Sequence, residues 1–126
     1  MILVDTSSWI EALRSKGDTF VRERVRKLIT DGNAAWCDLV AVELWNGAQG
    51  SYEKKKLAEL EEEITCLPTS DEVWKIARKL AQECREAGKT VPAADLVILS
   101  CALFHGTGIE HCDSHFDLIL RIHSAG

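Results

Sequence analysis

The chain opens on Met1-Ile2-Leu3-Val4 and then meets a carboxylate and two hydroxyls, Asp5-Thr6-Ser7. Two β-branched residues around a leucine, with no polar alternation, predict a strand buried on both faces, as in a helix-covered parallel sheet. Ligands of open α/β sheets bind in the crevice beyond the carboxyl ends of the strands. Asp5 falls there. Three further carboxylates stand in comparable settings: Glu43 inside an apolar helical stretch, Asp95 in the first turn of an apolar helix, and Asp113 just after a strand-like run.

Strands and helices alternate along the rest of the chain. A short helix is predicted over 8–14, opened by Thr6 and Ser7 as N-caps. Phe20, Val21, Val25, Leu28 and Ile29 recur at helical spacing and give an amphipathic helix ending at Asp31-Gly32-Asn33. A strand over 34–37, a helix over 39–45 stopped by Asn46-Gly47, a helix over 52–63 and a strand over 64–67 follow. Ser70 or Asp71 then caps a long helix with Val73, Trp74, Ala77, Leu80, Ala81 and Cys84 on one face. Pro92 sits at a first helical position and begins a helix reaching His105. A last strand over 108–112 and a last helix over 114–122 complete an α/β domain with a parallel sheet between helices. Trp9, Trp36, Trp45 and Trp74 are expected in the core, although Trp45, beside Glu43, could line a groove for a partner helix.

The 126 residues suit one domain covering 1–126, and 46% apolar with 28% charged residues is the balance of a globular protein. The longest apolar stretch, 96–104, falls far short of the ~20 residues a membrane span needs. No basic segment and cleavage site precede the first strand, so a cytoplasmic protein without a membrane anchor is expected. Five scattered cysteines (Cys37, Cys66, Cys84, Cys101, Cys112) then read as reduced and mostly buried thiols. The net charge of −5 argues against a broad nucleic-acid surface. Arg14, Lys16, Arg22, Arg24, Arg26 and Lys27 nevertheless cluster, either as a solvated helix face or as contacts to an RNA backbone.

Each acid has an ordinary explanation: a solvated helix face for Glu43, a favourable helix dipole for Asp95, an N-cap for Asp113. Four together are unfavourable unless a cation neutralises them, because like charges raise one another's pKa. The set therefore predicts a hard-metal site. Zinc held by Cys101, His105, His111, Cys112 and His115 is a weaker reading, since no C-x-x-C occurs and adjacent strand residues point apart. A haloacid-dehalogenase-like phosphatase would need a second acid where Ser7 stands.

The order of these motifs resembles the PIN domain. The apolar run before Asp5-Thr6-Ser7, an apolar-Glu-Leu helix around Glu43, the Ala94-Asp95-Leu96-Val97-Ile98 segment and the closing Asp113-x-His115-Phe116 carry the likeness, which spans Met1 to about Ile122. The chain is similar to VapC-type toxins of toxin–antitoxin pairs. That resemblance implies a three-layer fold with a central, mostly parallel sheet of about four to five strands, and a Mg²⁺- or Mn²⁺-dependent endoribonuclease. Asp5, Glu43, Asp95 and Asp113 would be its metal-binding and catalytic acids, with Thr6 or Ser7 at the adjacent hydroxyl position and Asp117 at a less regular acidic one. Asp5 and Asp95 would contact metal directly, and Thr6 or Ser7 would bind water or phosphate. An RNA substrate, an antitoxin whose C-terminal segment crosses the acidic site, and a homodimer are implied as partners. The chain departs in two places: Val40-Ala41-Val42 precede Glu43 where relatives often carry Ser or Thr, and His115 stands where many carry a second Asp. A catalytically silent PIN-like binding module is the alternative, and its mark would be a missing acid.

Overall fold

The computed structural model describes residues 1–126 as four strands and seven helices: β1 (Ile2–Val4), α1 (Thr6–Leu13), α2 (Thr19–Thr30), β2 (Ala34–Cys37), α3 (Asp38–Gly47), α4 (Gly50–Glu63), β3 (Thr65–Leu67), α5 (Asp71–Glu86), α6 (Ala93–His105), β4 (Gly108–Glu110) and α7 (Ser114–Ala125). The strands form one parallel sheet in the order β3-β2-β1-β4. Ile2 pairs with Ala34 on one side and with Gly108 on the other. The apolar opening therefore lies in the middle of the sheet, and Leu3 and Val4 are fully buried.

The strand order explains where a site can form. Chain growth proceeds outward from β1 to β2 and β3, then returns to the opposite side of β1 for β4. The reversal leaves a crevice beyond the carboxyl ends of β1 and β4, the topological switch point of an open sheet. Asp5 follows β1 directly, and its N–H donates to Glu110 O at 2.9 Å, closing the end of β4 against it. The return to β4 depends on Gly106, which ends α6 in the left-handed conformation at φ 66°.

Helix packing completes the core. Trp9 of α1 meets Trp36 of β2 edge-on, ring centroids 6.0 Å apart. Residues from Asp95 to Ala102 of α6 are buried without a break, so this helix runs through the interior rather than over it. Val73, Ala77, Leu80 and Cys84 of α5 and Phe116 and Ile119 of α7 enclose it.

Several expectations need correction. Trp74 and Trp45 are 45% and 37% exposed rather than core, and Trp45 Nε1 donates to Glu61 at 2.7 Å. Val42 is also exposed, so the apolar stretch around Glu43 is not buried on that side. Phe20, assigned to the apolar face of α2, is exposed. Cys66 and Cys112 are exposed, while Cys37, Cys84 and Cys101 are buried free thiols. Asn46 and Gly47 belong to α3, which ends at Ala48. The first helix is capped by Asp5 instead of Thr6 or Ser7. No helix is long and apolar enough to cross a membrane.

Candidate active site

Two of the four acids are built in as helix caps. Asp5, in extended conformation, accepts Ser7 N–H with Oδ2 at 2.9 Å and opens α1. Asp113 does the same for α7, its Oδ1 accepting His115 N–H at 2.9 Å. A short carboxylate at the end of a strand satisfies an otherwise unpaired helix N–H, which is why the chain turns from strand to helix there. Asp95 lies in the first turn of α6, where the positive end of the helix dipole favours its charge. Three helix N-termini thus carry acids at the switch point.

The cluster is tight. Donor atoms of Asp95, Asp113 and His115 lie within 4.8 Å of one another. Asp95 is 9% exposed and Asp5 only 3%. Burial first, and then the charges of Asp113 and Asp5, push the Asp95 carboxyl up from 3.8 to about 6, against a smaller opposing effect of His115. A carboxyl so displaced is one the fold has gathered with others at a free-energy cost.

Both hydroxyls hold carboxylates. Ser7 Oγ donates to Asp5 Oδ2 at 2.6 Å and accepts Cys112 N–H at 2.9 Å, tying the end of β1 to the segment after β4. Thr6 Oγ1 donates to Glu43 Oε1 at 2.7 Å, bringing α3 to the start of α1. Both hydroxyl protons are thus committed to orienting carboxylates. Asp5 and Glu43 both stand outside the compact group of Asp95, Asp113 and His115; Asp5 acts on Asp95 through its charge, and Glu43 joins through Thr6. Asp117 is exposed and turns to His111, with Oδ1 3.4 Å from Nε2.

The alternative zinc set is not assembled. His105 Nε2 lies 2.8 Å from Pro68 O, and Cys101 Sγ makes its contacts to Leu67 O and Pro68 O at 3.8 Å. The group that does assemble is Asp95, Asp113 and His115.

Much of the basic segment is engaged in pairing. Arg24 forks onto Glu110, with Nε 2.7 Å from Oε1, and that carboxylate holds the guanidinium above its ordinary value. Ser8 Oγ donates to the same carboxylate at 2.8 Å, so α1, α2 and β4 meet at Glu110. Arg14 pairs with Glu11, Arg26 with Glu23 and Lys27 with Asp31, while Arg22 donates to Arg14 O.

Sequence reasoning underused Ser7 and His115. The spacing Asp5-x-Ser7 is that of a carboxylate bonding two residues ahead, and assigning the cap to Asp5 would have revealed the bond. His115 stands in an acid's place, and its position two residues after Asp113 puts it across the first turn of α7 from the capping carboxylate.

The surroundings fit a divalent cation. Hard oxygen donors predominate, one carboxyl is held far from its ordinary titration range, and His115 Nδ1 is buried without a hydrogen-bond partner. Comparison with known proteins agrees with the fold. Residues 2–119 match the family described as PIN domain. The chain is 35% identical to Ribonuclease VapC11 of Mycobacterium tuberculosis, covering 97% of this chain and 93% of that protein. Ribonuclease VapC18 of the same organism is 28% identical, with 94% and 87% covered. Among solved structures, FitAcB from Neisseria gonorrhoeae superimposes with a TM-score of 0.75 at 24% identity, over 94% of this chain and 92% of that one. VapBC-1 from nontypeable Haemophilus influenzae gives 0.76 at 20% identity, over 96% and 93%. A parallel sheet ordered 3-2-1-4 with acids at its switch point, and relatedness over nearly its whole length, place the chain in the PIN-domain family, among the VapC-type ribonucleases.

Proposed function

We propose that residues 1–126 act as one catalytic unit, a divalent-metal-dependent endoribonuclease that hydrolyses RNA phosphodiester bonds as the toxin of a type II toxin–antitoxin pair. The observation that carries this reading is the displaced Asp95 carboxyl, buried against Asp113 and Asp5 at the switch point. Asp5, Asp95 and Asp113 are the residues that would hold Mg²⁺ or Mn²⁺, with Glu43 at the margin of the same crevice. A bound dication supplies an acidified water and a counter-charge for the phosphate.

The chain's own residues have definite tasks. Ser7 fixes one oxygen of Asp5 and leaves Oδ1 free for the crevice. Thr6 fixes one oxygen of Glu43, so the other can accept a proton from water approaching the phosphate. Asp95 and Asp113 supply the remaining negative charge, held by helix N-termini.

The names of the relatives support the remaining parts of the reading. A toxin–antitoxin complex from Klebsiella pneumoniae is among the similar folds. A groove bordered by Ile10, Leu13, Leu44 and Leu57, with Glu43 and Glu53 on its wall, suits an apolar segment carrying a basic residue. An antitoxin laid there would reach Glu43, at the margin of the crevice. A homodimer acting in the cytoplasm completes the assignment.

RNA cleavage by the purified chain in Mg²⁺, Mn²⁺ or EDTA, beside Asp5→Asn, tests it. Cleavage is expected with either ion, with none in EDTA or in the variant. Undiminished cleavage by folded Asp5→Asn refutes the site, and inactivity on every RNA in both ions favours the binding-module reading.

A further inference from the structure

His115 sits in the first turn of α7 with its ring against the two acids it faces. Nδ1 is 2.9 Å from Asp113 Oδ1 and 3.1 Å from Asp95 Oδ2. The atom is shielded from solvent, and although both oxygens stand at hydrogen-bond distance, neither is well aligned with an Nδ1 proton. A buried polar atom without a partner costs roughly 1–3 kcal/mol and calls for an explanation.

Coordination supplies one. Two donor atoms in neighbouring positions around an octahedral ion with ~2.1 Å bonds stand about 3.0 Å apart. The two distances at Nδ1 bracket that value. A lone pair directed at a shared ion, and off the line to either oxygen, accounts for both the closeness and the missing bond.

We propose that His115 Nδ1 is itself a metal ligand, forming with Asp95 and Asp113 a nitrogen–oxygen–oxygen set that favours a first-row transition dication such as Mn²⁺ over Mg²⁺. The proposal rests on the metal-site reading above and goes beyond it in naming a nitrogen donor and a selectivity. Mg²⁺ is a hard ion that dehydrates reluctantly and gains little from imidazole, whereas affinity for nitrogen donors rises along the transition series. The competing role is a counter-charge: an imidazolium that only offsets the acids. The two differ in sign. Removing a counter-charge tightens every dication alike, while removing a ligand weakens Mn²⁺ selectively.

Calorimetric titration of metal-free protein with Mn²⁺ and with Mg²⁺ separates them, using wild type, His115→Ala and His115→Asp, each checked for native circular dichroism. In His115→Ala, Mn²⁺ affinity is expected to fall about tenfold or more and Mg²⁺ affinity about threefold or less. His115→Asp restores a third oxygen, so Mg²⁺ binds at least as well as to wild type while the preference for Mn²⁺ stays reduced. Pulsed electron paramagnetic resonance of Mn²⁺-loaded wild type should show ¹⁴N coupling that both variants lack. An unchanged ratio of Mn²⁺ to Mg²⁺ affinity without ¹⁴N coupling, or equal tightening of both ions in His115→Ala, overturns the proposal. Mn²⁺ binding that survives Asp95→Asn unchanged would instead sink the metal site itself.

Discussion

Replacing Asp95 by Asn should stabilise the metal-free protein at neutral pH while destroying its activity. The Asp95 carboxyl titrates at about 6 in the fold against an ordinary 3.8. A carboxyl raised on folding binds its proton more tightly in the native state, so stability falls as pH rises through that window. The penalty is absent below about pH 4, grows between about 4 and 6, and is complete above. At ~1.4 kcal/mol per pH unit the displacement corresponds to about 3 kcal/mol. The side chain is 13% exposed at the crevice, and screening there reduces the figure to about 2 kcal/mol. Asparagine keeps the shape and removes the charge. Urea denaturation in EDTA should therefore find Asp95→Asn about 2 kcal/mol more stable than wild type at pH 8, a rise of roughly 6–8 °C in thermal midpoint. The gap should narrow steadily toward pH 4.5. A hundredfold excess of Mn²⁺ over its Kd adds about 2.7 kcal/mol to wild type and little to the variant, which reverses their order. A variant less stable than wild type at pH 8, or a gap that does not depend on pH, refutes the reasoning.

The hydroxyl pair offers two sharper tests. Thr6→Val removes the bond to Glu43 and is expected to lower RNA cleavage about tenfold, the usual loss when a supporting partner goes, while Thr6→Ser keeps the rate. Equal rates in both variants would show that Glu43 needs no such orientation. Ser7→Ala breaks a bond to a charged acceptor and frees the exposed Cys112 N–H to water, so urea denaturation should show a loss of about 1.5–2 kcal/mol together with reduced cleavage. A loss within ~0.5 kcal/mol, as for an ordinary surface substitution, would remove Ser7 from the framework.

The elements were legible wherever periodicity and caps agreed. Met1 to Val4 announced a central strand because a strand covered on both faces has no polar residue to alternate. The apolar run after Asp95 likewise marked the interior helix α6. Side-chain environments were less legible. Trp74 shares a helical stripe with Val73 and Ala77, but one step around α5 separates the buried position from the half-exposed one. A tryptophan's bulk gives no signal for which side of that boundary it takes. The hydroxyls suit helix caps, yet the strand-end aspartate opens the helix earlier by accepting the Ser7 N–H, and both hydroxyls bond carboxylates instead. Partners distant in sequence could not be read at all: Thr6 meets Glu43, and Ser7 meets Cys112, only because strand order brings those segments together.

The double duty of the acids decides which substitutions are informative. Asp5 and Asp113 each give one oxygen to a helix N–H, so alanine at either would remove a cap worth ~1 kcal/mol along with the charge. An inactive alanine variant would then confound a loosened helix with a lost ligand. Asparagine caps as well as aspartate, and it removes only the charge. Asp95 lies within its helix and makes no cap bond, so the helix dipole and His115 offset only part of the cost of its buried charge. The fold thus separates two kinds of acid: those that hold helices in place while facing the crevice, and one left under-compensated until the crevice binds a cation.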